Sequence, residues 1–422
     1  IRYMNHCIFG GGGSGIFTDI NNLYFMSFLN SVVSEYALNL LNPTLNFLVG
    51  DILSLPAIID ETHKPQIEAL VEDCIITSEM DWDSFETSWD FQTHPFLDVG
   101  IFDNWFGDVK GTEEYDDIHK FLQNHYNVWD WETDEEFKLL KKNEEELNRI
   151  FIEIYGLQDE LTPEVEDKDI TITRADLKRD MRSFVSYAVG CMFGRYSLDV
   201  DGLVYAGGEW DSSKYKTYIP NDDNCILITD EEYFGDDIVG RFVEFVKTVY
   251  GEEFLDVNLD FIAEALGNKG NTSRQIIRNY FLSDFIKDHN KIYKKRPIYW
   301  MFDSGKQNGF KALIYMHRWN ADTTGNVRVE YLHKLQRVYE SEVNRMQETI
   351  DNSTNSRDIT IAEKRKDKLL KQLKEARDYD EKISHLALAR IDIDLDDGVK
   401  VNYEKVQTAQ DGKKLEVLVP IK

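Results

Sequence analysis

The sequence predicts an α+β fold, mostly helical with small sheets and β-hairpins, and ending in a long antiparallel helical hairpin. Three observations carry that prediction. Most long segments repeat apolar residues at the helical period. Few short apolar runs are bounded by turn residues in the manner of strands, the clearest being residues 298–302 and 310–316. Near the end of the chain two charged, periodic segments flank a short polar loop, which makes them antiparallel neighbours.

The 422 residues are 42% hydrophobic and 13% aromatic, which suffices for a sizeable core. Length alone suggests about two to four domains. No apolar run reaches membrane-spanning length. Cys7, Cys74, Cys191 and Cys225 are scattered, with neither CxxC spacing nor a disulfide framework, so a reducing, cytoplasmic setting is expected. The chain opens on Ile1 in what reads as the middle of a strand, and it is expected to be part of a longer protein. A net charge of −29 repels nucleic acid, so any such contact must come from local basic patches. The acid is concentrated in the first half, at 79–83 and 129–136, as solvated helix faces.

Taken in order, Gly10, Gly12 and Gly15 match the spacing of a nucleotide-binding loop. The residues that follow read as strand rather than helix, so a hairpin turn is the better reading and no cofactor site is assigned. Residues 21–41 should form one helix, stopped by Asn42-Pro43. Residues 42–58 read as extended, 64–77 as a helix, and 93–131 as irregular and aromatic-rich. A charged helix is expected over 135–155, with Leu139, Leu140, Leu147, Ile150, Phe151 and Ile154 as its apolar stripe. Over 173–195, Thr173 with Asp176 resembles a cap, Arg174, Lys178, Arg179 and Arg182 follow, and small apolar residues fill the rest. Gly194-Arg195-Tyr196 leaves that helix, and 199–208 reads as a turn and short strand. Further helices are expected over 229–250, 254–266 and 273–291.

The stretch 287–319 is the most informative. Its two apolar runs enclose Ser304-Gly305 and Asn308-Gly309, which predicts a hairpin. Basic residues interleave there with Tyr293, Tyr299, Trp300, Tyr315 and Trp319, a combination that suits phosphates and bases as well as it suits an amphipathic hairpin with a solvated basic face. Residues 327–350 and 359–389 then form the helical hairpin. Leu332, Leu335, Val338 and Val343 should face Leu369, Leu370, Leu373, Ile383 and Leu386. The run Lys364-Arg365-Lys366 reads as a solvated face, and the tail ends in a strand-like LEVLVPI.

No metal or nucleophile constellation emerges. The nine histidines lie far apart, and with 77 acidic residues chance carboxylate pairs carry no weight. No two prolines are adjacent, so the Asn-Pro-Pro-Tyr type of motif by which amino-methyltransferases grip a target amine is absent; Asn42-Pro43-Thr44-Leu45 is not one.

Three segments resemble one family in its own order: LNSVVSEYALNLLNPTLNFLVGDILSLPAI at 29–58, VGCMFGRYSLDVDGLVYAGG at 189–208 and KRPIYWMFDSGKQNGFKALIYMHRW at 295–319. DLDDGVKVNYEKVQ at 394–407 is similar to its C-terminal signature. The family is PglX (BrxX), the adenine-specific DNA methyltransferase of BREX phage-defence systems. The resemblance implies that the S-adenosylmethionine-binding core and the catalytic motif belong to a region preceding this one. It implies four regions here: 1–60, the end of the target-recognition and methyltransferase-linking region; 61–170, acidic and helical; 171–326, an α/β recognition-like region with the basic hairpin; and 327–422, the helical hairpin and tail.

On this reading the partners are double-stranded DNA and other BREX proteins, with no membrane and no cofactor in this chain. Arg195, Tyr196, Lys294, Lys295, Arg296, Lys306, Lys311 and Arg318 are expected to contact DNA, with Gln307 and Asn308 as candidates for base edges. No catalytic or metal-binding residue is assigned. The competing readings are a scaffold that docks other BREX proteins without touching DNA, and an acidic DNA mimic.

Overall fold

The computed structural model describes residues 22–44, 48–107 and 110–421. The glycine-rich segment 10–15 and Cys7 lie outside them. The helices, in chain order, begin with α1 (Asn22–Asn30), α2 (Val32–Leu41), α3 (Val49–Leu53), α4 (Lys64–Asp83), α5 (Val99–Phe106), α6 (Glu113–His119) and α7 (Leu122–Tyr155). They continue with α8 (Leu177–Phe193), α9 (Ile238–Tyr250), α10 (Leu255–Leu266), α11 (Ser273–Ser283) and α12 (Phe285–Ile292). After two strands come α13 (Thr323–Asn326), α14 (His333–Asn352), α15 (Ser356–Ala389) and α16 (Val399–Lys405). The strands are β1 (Ile226–Leu227), β2 (Tyr299–Asp303) and β3 (Lys311–Tyr315), in one antiparallel sheet of order β1-β3-β2. The fold is therefore α+β and mostly helical. It divides into two compact units, one of residues 1–88 and 128–175, the other of 89–127 and 176–422.

The first unit packs α1 and α4 against α7. Tyr24, Phe28, Ile67, Val71, Ile150 and Phe151 form its core, with the Tyr24 ring edge-on to Phe151. Residues 21–41 do not make one helix. Ser31 accepts a hydrogen bond from the Ser34 amide, and this cap starts a second helix. Part of the segment read as extended is helical, as α3, where Asp51 accepts from the Leu48 amide. The acidic run 129–136 belongs to α7, which starts well before 135, because glutamate is a good helix former and the run keeps apolar spacing. Of the predicted stripe, Leu140, Leu147, Ile150 and Phe151 are buried, whereas Leu139 is exposed.

The second unit is built on α8, which is buried from Met181 to Phe193 except at Arg182 and Ser183. Phe184 sits among Phe96, Phe242, Phe245 and Tyr250. The cap of α8 is Asp176, accepting from the Arg179 amide at 2.7 Å, rather than Thr173. Residues 93–121 are not all irregular, since α5 and α6 form within them. No strand forms within 199–208; β1 lies later, at Ile226. Residues 229–237 precede α9 rather than extend it, and 273–291 breaks at Asp284 into α11 and α12.

The helical hairpin holds. Leu332, Leu335, Leu369, Leu373, Ile383 and Leu386 are buried, but Leu370 faces solvent. A π-helical turn, Val327–Leu332, leads into α14 and places Arg328 and His333 together on Asp380 of α15. In the run at 364–366, Arg365 turns inward to Asp230 and Tyr233 instead of facing solvent. The strand-like tail pairs with the free edge of β2: Asp303 donates to the Val417 carbonyl, and Val419 to that of Met301. Cys191 and Cys225 are buried, and burial pushes both thiols up, which makes them unreactive packing groups. Among the described residues no helix is long and apolar enough to cross a membrane.

Candidate nucleic-acid interface

The hairpin at the centre of the predicted site is core on both faces. Every residue of β3 is buried, as are the first four of β2, because β1 and β2 flank β3 and helices cover the faces. Its basic residues therefore reach solvent only at the two ends of the strands. The five-residue strands put those ends about 17 Å apart.

The first end is the turn from α12 into β2. His289, buried on α12, accepts the amides of both Ile298 and Tyr299 at its Nε2, 3.0 Å each, and so fixes the first residues of the strand. That geometry requires the hydrogen on Nδ1. Burial, and then the Arg195 charge, push the His289 pKa down to about 3. The turn between them is tight: the Lys295 amide donates to the Asn290 carbonyl at 2.8 Å, and Lys294 and Lys295 take φ of +49° and +63°. Left-handed backbone costs a residue with a Cβ about 1–2 kcal/mol. Lys294, Lys295 and Arg296 are all exposed, and none makes an ion pair with another described residue.

Arg195 and Tyr196 stand at the same end, at the C-terminus of α8. Gly194, at φ +76°, closes the helix: its amide donates to Cys191, and the Arg195 amide to the Gly190 carbonyl at 2.8 Å. A Cβ at Gly190 would lie 2.4 Å from the Tyr196 ring, and one at Gly194 2.3 Å from Trp210, so the two glycines let these rings lie flat on the helix. Tyr196 is buried and stacked on Tyr187. Arg195 Nε donates to Tyr196 Oη at 3.1 Å, and its Nη1 to Tyr315 Oη at 3.2 Å. His317 lies in the same surroundings, its pKa pushed down to about 4 by burial and then by Arg195. Arg318 is tied down by the carbonyls of Phe193, Asn221 and Asp222, and lies 4.3 Å over Trp210. It lines a polar cavity of about 400 Å³ with Tyr205, Trp210, Asp222, Asp223, Asn224, Asn320 and Asn326.

At the other end, the loop between the strands closes around a carboxylate. Glu375 of α15 accepts from Ser304 Oγ at 2.8 Å, from the Gln307 amide at 2.9 Å and from the Gly309 amide at 3.0 Å. Gly309 is needed because a Cβ there would meet the Gln372 carbonyl of α15 at 2.5 Å. Lys306 and Gln307 remain exposed, Asn308 (φ +53°) is half-buried, and Lys311 is buried in an ion pair with Asp303 at 2.6 Å. Replacing Glu375 with alanine is expected to destabilise the second unit by about 1–3 kcal/mol, since three donors lose their acceptor. Amide exchange at Gln307 and Gly309 should speed up by more than at β3.

The predicted residues thus separate into two groups. Arg195, Tyr196, Lys294, Lys295, Arg296 and Arg318 come together at one end, while Lys306, Gln307, Asn308 and Lys311 lie at the other. Of these, Tyr196, Lys311 and Arg318 are engaged by the protein itself, and Arg195 is half-buried with hydrogen bonds to two phenols. At the start of α8, Arg179 pairs with Asp180 and Arg182 with Asp288, while Lys178 remains exposed. His289 and Glu375 escaped sequence reading. They are single residues far apart in the chain, and nothing local marks them, whereas His317 is one of the basic residues that the sequence places in the hairpin beside its aromatics. Among the described residues no group of His, Cys, Asp and Glu side chains is arranged to hold a metal ion.

The chain matches two curated proteins along nearly its whole length. It is 47% identical over 406 residues, 95% of the chain, to the adenine-specific methyltransferase PglX of Lacticaseibacillus casei (strain Zhang), of which it covers 32%. It is 35% identical over 438 residues, 96% of the chain, to the adenine-specific methyltransferase BrxX of Escherichia coli O9:H4 (strain HS), of which it covers 34%. The chain is homologous to part of the PglX and BrxX methyltransferases. It spans about a third of the length of these relatives. The family resemblance read from the three segments therefore holds. No family model matches the chain.

Proposed function

We propose that this chain is the DNA-recognition and supporting portion of a site-specific adenine methyltransferase of BREX phage defence, C-terminal to its catalytic core. The observation that supports it most is the turn at 294–296. Three exposed cations, free of ion pairs with other described residues, stand side by side in a chain of net charge −29. Two of them occupy left-handed backbone, where glycine would cost less. Strain kept at a solvent-facing turn points to a role for the side chains. They would hold duplex phosphates and set the register, while the catalytic region receives the flipped adenine.

The methyl donor implied by this reading is S-adenosylmethionine, bound by that other region. The polar cavity of this chain does not fit it, because Trp210 is already stacked by Arg318 and Tyr215 and offers no place for an adenine ring. No step of the methyl transfer is therefore assigned to the described residues.

Fluorescence anisotropy with a labelled duplex across a salt series tests the reading. Replacing Lys294, Lys295 and Arg296 together with glutamine should weaken binding at low salt by roughly tenfold or more. The slope of log K against log salt should fall by about 3, close to 0.9 for each phosphate no longer neutralised. A matched Lys371→Gln/Lys374→Gln variant on the exposed face of α15 should behave as wild type. An unchanged slope in a folded triple variant would remove the DNA interaction from this turn. Absence of binding by the wild type even at low salt would favour the docking scaffold.

A further inference from the structure

Among the described residues, the buried and half-buried arginines have carboxylate partners or backbone carbonyls, with one exception. Arg278 is matched by Asp237, Arg328 by Asp380, Arg365 by Asp230 and Arg182 by Asp288, while Arg318 is spent on three carbonyls. Arg195 makes its two hydrogen bonds to phenols, and the groups that surround its charge are the tyrosines 196, 293, 299 and 315. No carboxylate among the described residues pairs with it. A guanidinium removed from water without a counter-charge is costly, and a chain with 77 acidic residues has no shortage of candidates to supply one.

Two further groups beside it have nothing to bind. His289 Nδ1, which must carry the hydrogen because Nε2 accepts two amides, is buried without a partner. His317 Nδ1 is likewise buried and unpartnered. The His289 ring lies 4.7 Å from that of Tyr299, and the His317 ring 4.9 Å from that of Tyr315, whose hydroxyl accepts from Arg195. An unsatisfied donor and a second unpartnered imidazole nitrogen beside an unpaired cation are the pattern expected where an anion belongs. The exposed cations of the 294–296 turn lie at the same end of the strands, the first of them next to Tyr293 in the chain.

We propose that Arg195, with His289 and His317, forms a site for a single phosphate group. This deepens the reading of the chain as a DNA-recognition module and rests on it for the source of the phosphate: a backbone phosphodiester, admitted past Lys294 and Lys295. A planar guanidinium can present two parallel N–H groups to the two free oxygens of a phosphodiester, and the imidazole N–H adds a third donor.

The test uses the full chain and two probes. Inorganic phosphate is titrated by calorimetry and by its effect on the melting temperature, against chloride at equal ionic strength. Saturable binding at millimolar phosphate is expected for the wild type, lost in Arg195→Gln and weakened in His317→Ala, which removes no residue of the strands. No saturable binding by the wild type, or binding that survives in a folded Arg195→Gln protein, would overturn the site. The second probe is the duplex. A salt slope reduced by about one in Arg195→Gln identifies the ligand as a DNA phosphate. Phosphate binding that depends on Arg195, with an unchanged duplex slope, would keep the anion site and refute the DNA source.

Discussion

Replacing Arg278 with methionine is expected to destabilise the second unit by about 3–5 kcal/mol, the cost of stranding a buried carboxylate. Asp237 is fully buried, and its Oδ1 caps α9 by accepting the amides of Val239 and Gly240 at 3.0 and 2.9 Å. Its Oδ2 takes the Arg278 guanidinium and, at 3.0 Å, the Thr229 hydroxyl. Arg278 also donates to the Thr229 carbonyl at 3.0 Å, so one side chain joins α11, the start of α9 and the segment that follows β1. Methionine fills most of the same volume, which leaves the missing charge as the main effect. Urea unfolding followed by tryptophan fluorescence measures it, and Asp237→Asn in the same background should recover part of the loss while keeping the cap. A change below about 1 kcal/mol would mean that water reaches Asp237 in place of the arginine.

The two units should respond in opposite directions when the pH falls from 7 to 5. In the second unit His94 and His289 are buried and their pKa values are pushed down to about 3, first of all by that burial. Below about pH 6.5 the unfolded chain takes up protons that the folded unit refuses, and each histidine then removes about 1.4 kcal/mol per pH unit. Two of them over the interval from 6.5 to 5 amount to about 4 kcal/mol of lost stability. In the first unit Glu136 and Glu144 are raised to about 7, by burial first and then by Glu132 and Asp81 for the one and Asp169 for the other. There the folded state binds protons that the unfolded chain releases near pH 4.5, so acidification stabilises it. Both glutamates are partly exposed, and the gain is correspondingly smaller. Hydrogen exchange read by mass spectrometry at both pH values, corrected for intrinsic rates, separates the units. Protection should fall in α8 and α12 and hold or rise in α4 and the later part of α7. Parallel loss in both units would show that the histidines do not control the second.

The helices and the sheet hairpin were legible in the sequence because periodicity and turn residues are local signals. The helical hairpin of α14 and α15, the close of α8 at Gly194 and the two strands at 299–303 and 311–315 all follow from such patterns. Errors fell where a local preference was overridden or cut. Ser31 and Asp284 break segments whose apolar spacing runs on, and the acidic run 129–136 is helix because Asp130 and Glu135 face solvent while Trp129 and Thr133 turn inward at helical spacing.

For the candidate site, sequence by itself determined which residue types were available and which family they belong to. The segments at 189–208 and 295–319 carry both. What each cation does was decided only by tertiary structure. Charge is a property of a residue, but availability depends on what the fold brings within about 3 Å of it. Lys311 found Asp303, Arg318 found three carbonyls, and Arg365 found Asp230. The strands buried both faces of the hairpin, so the basic stripe seen in the sequence divided between its two ends. Lys294, Lys295 and Arg296 remained in solvent, and Arg195 was set among tyrosines, with no carboxylate of the described residues paired to it.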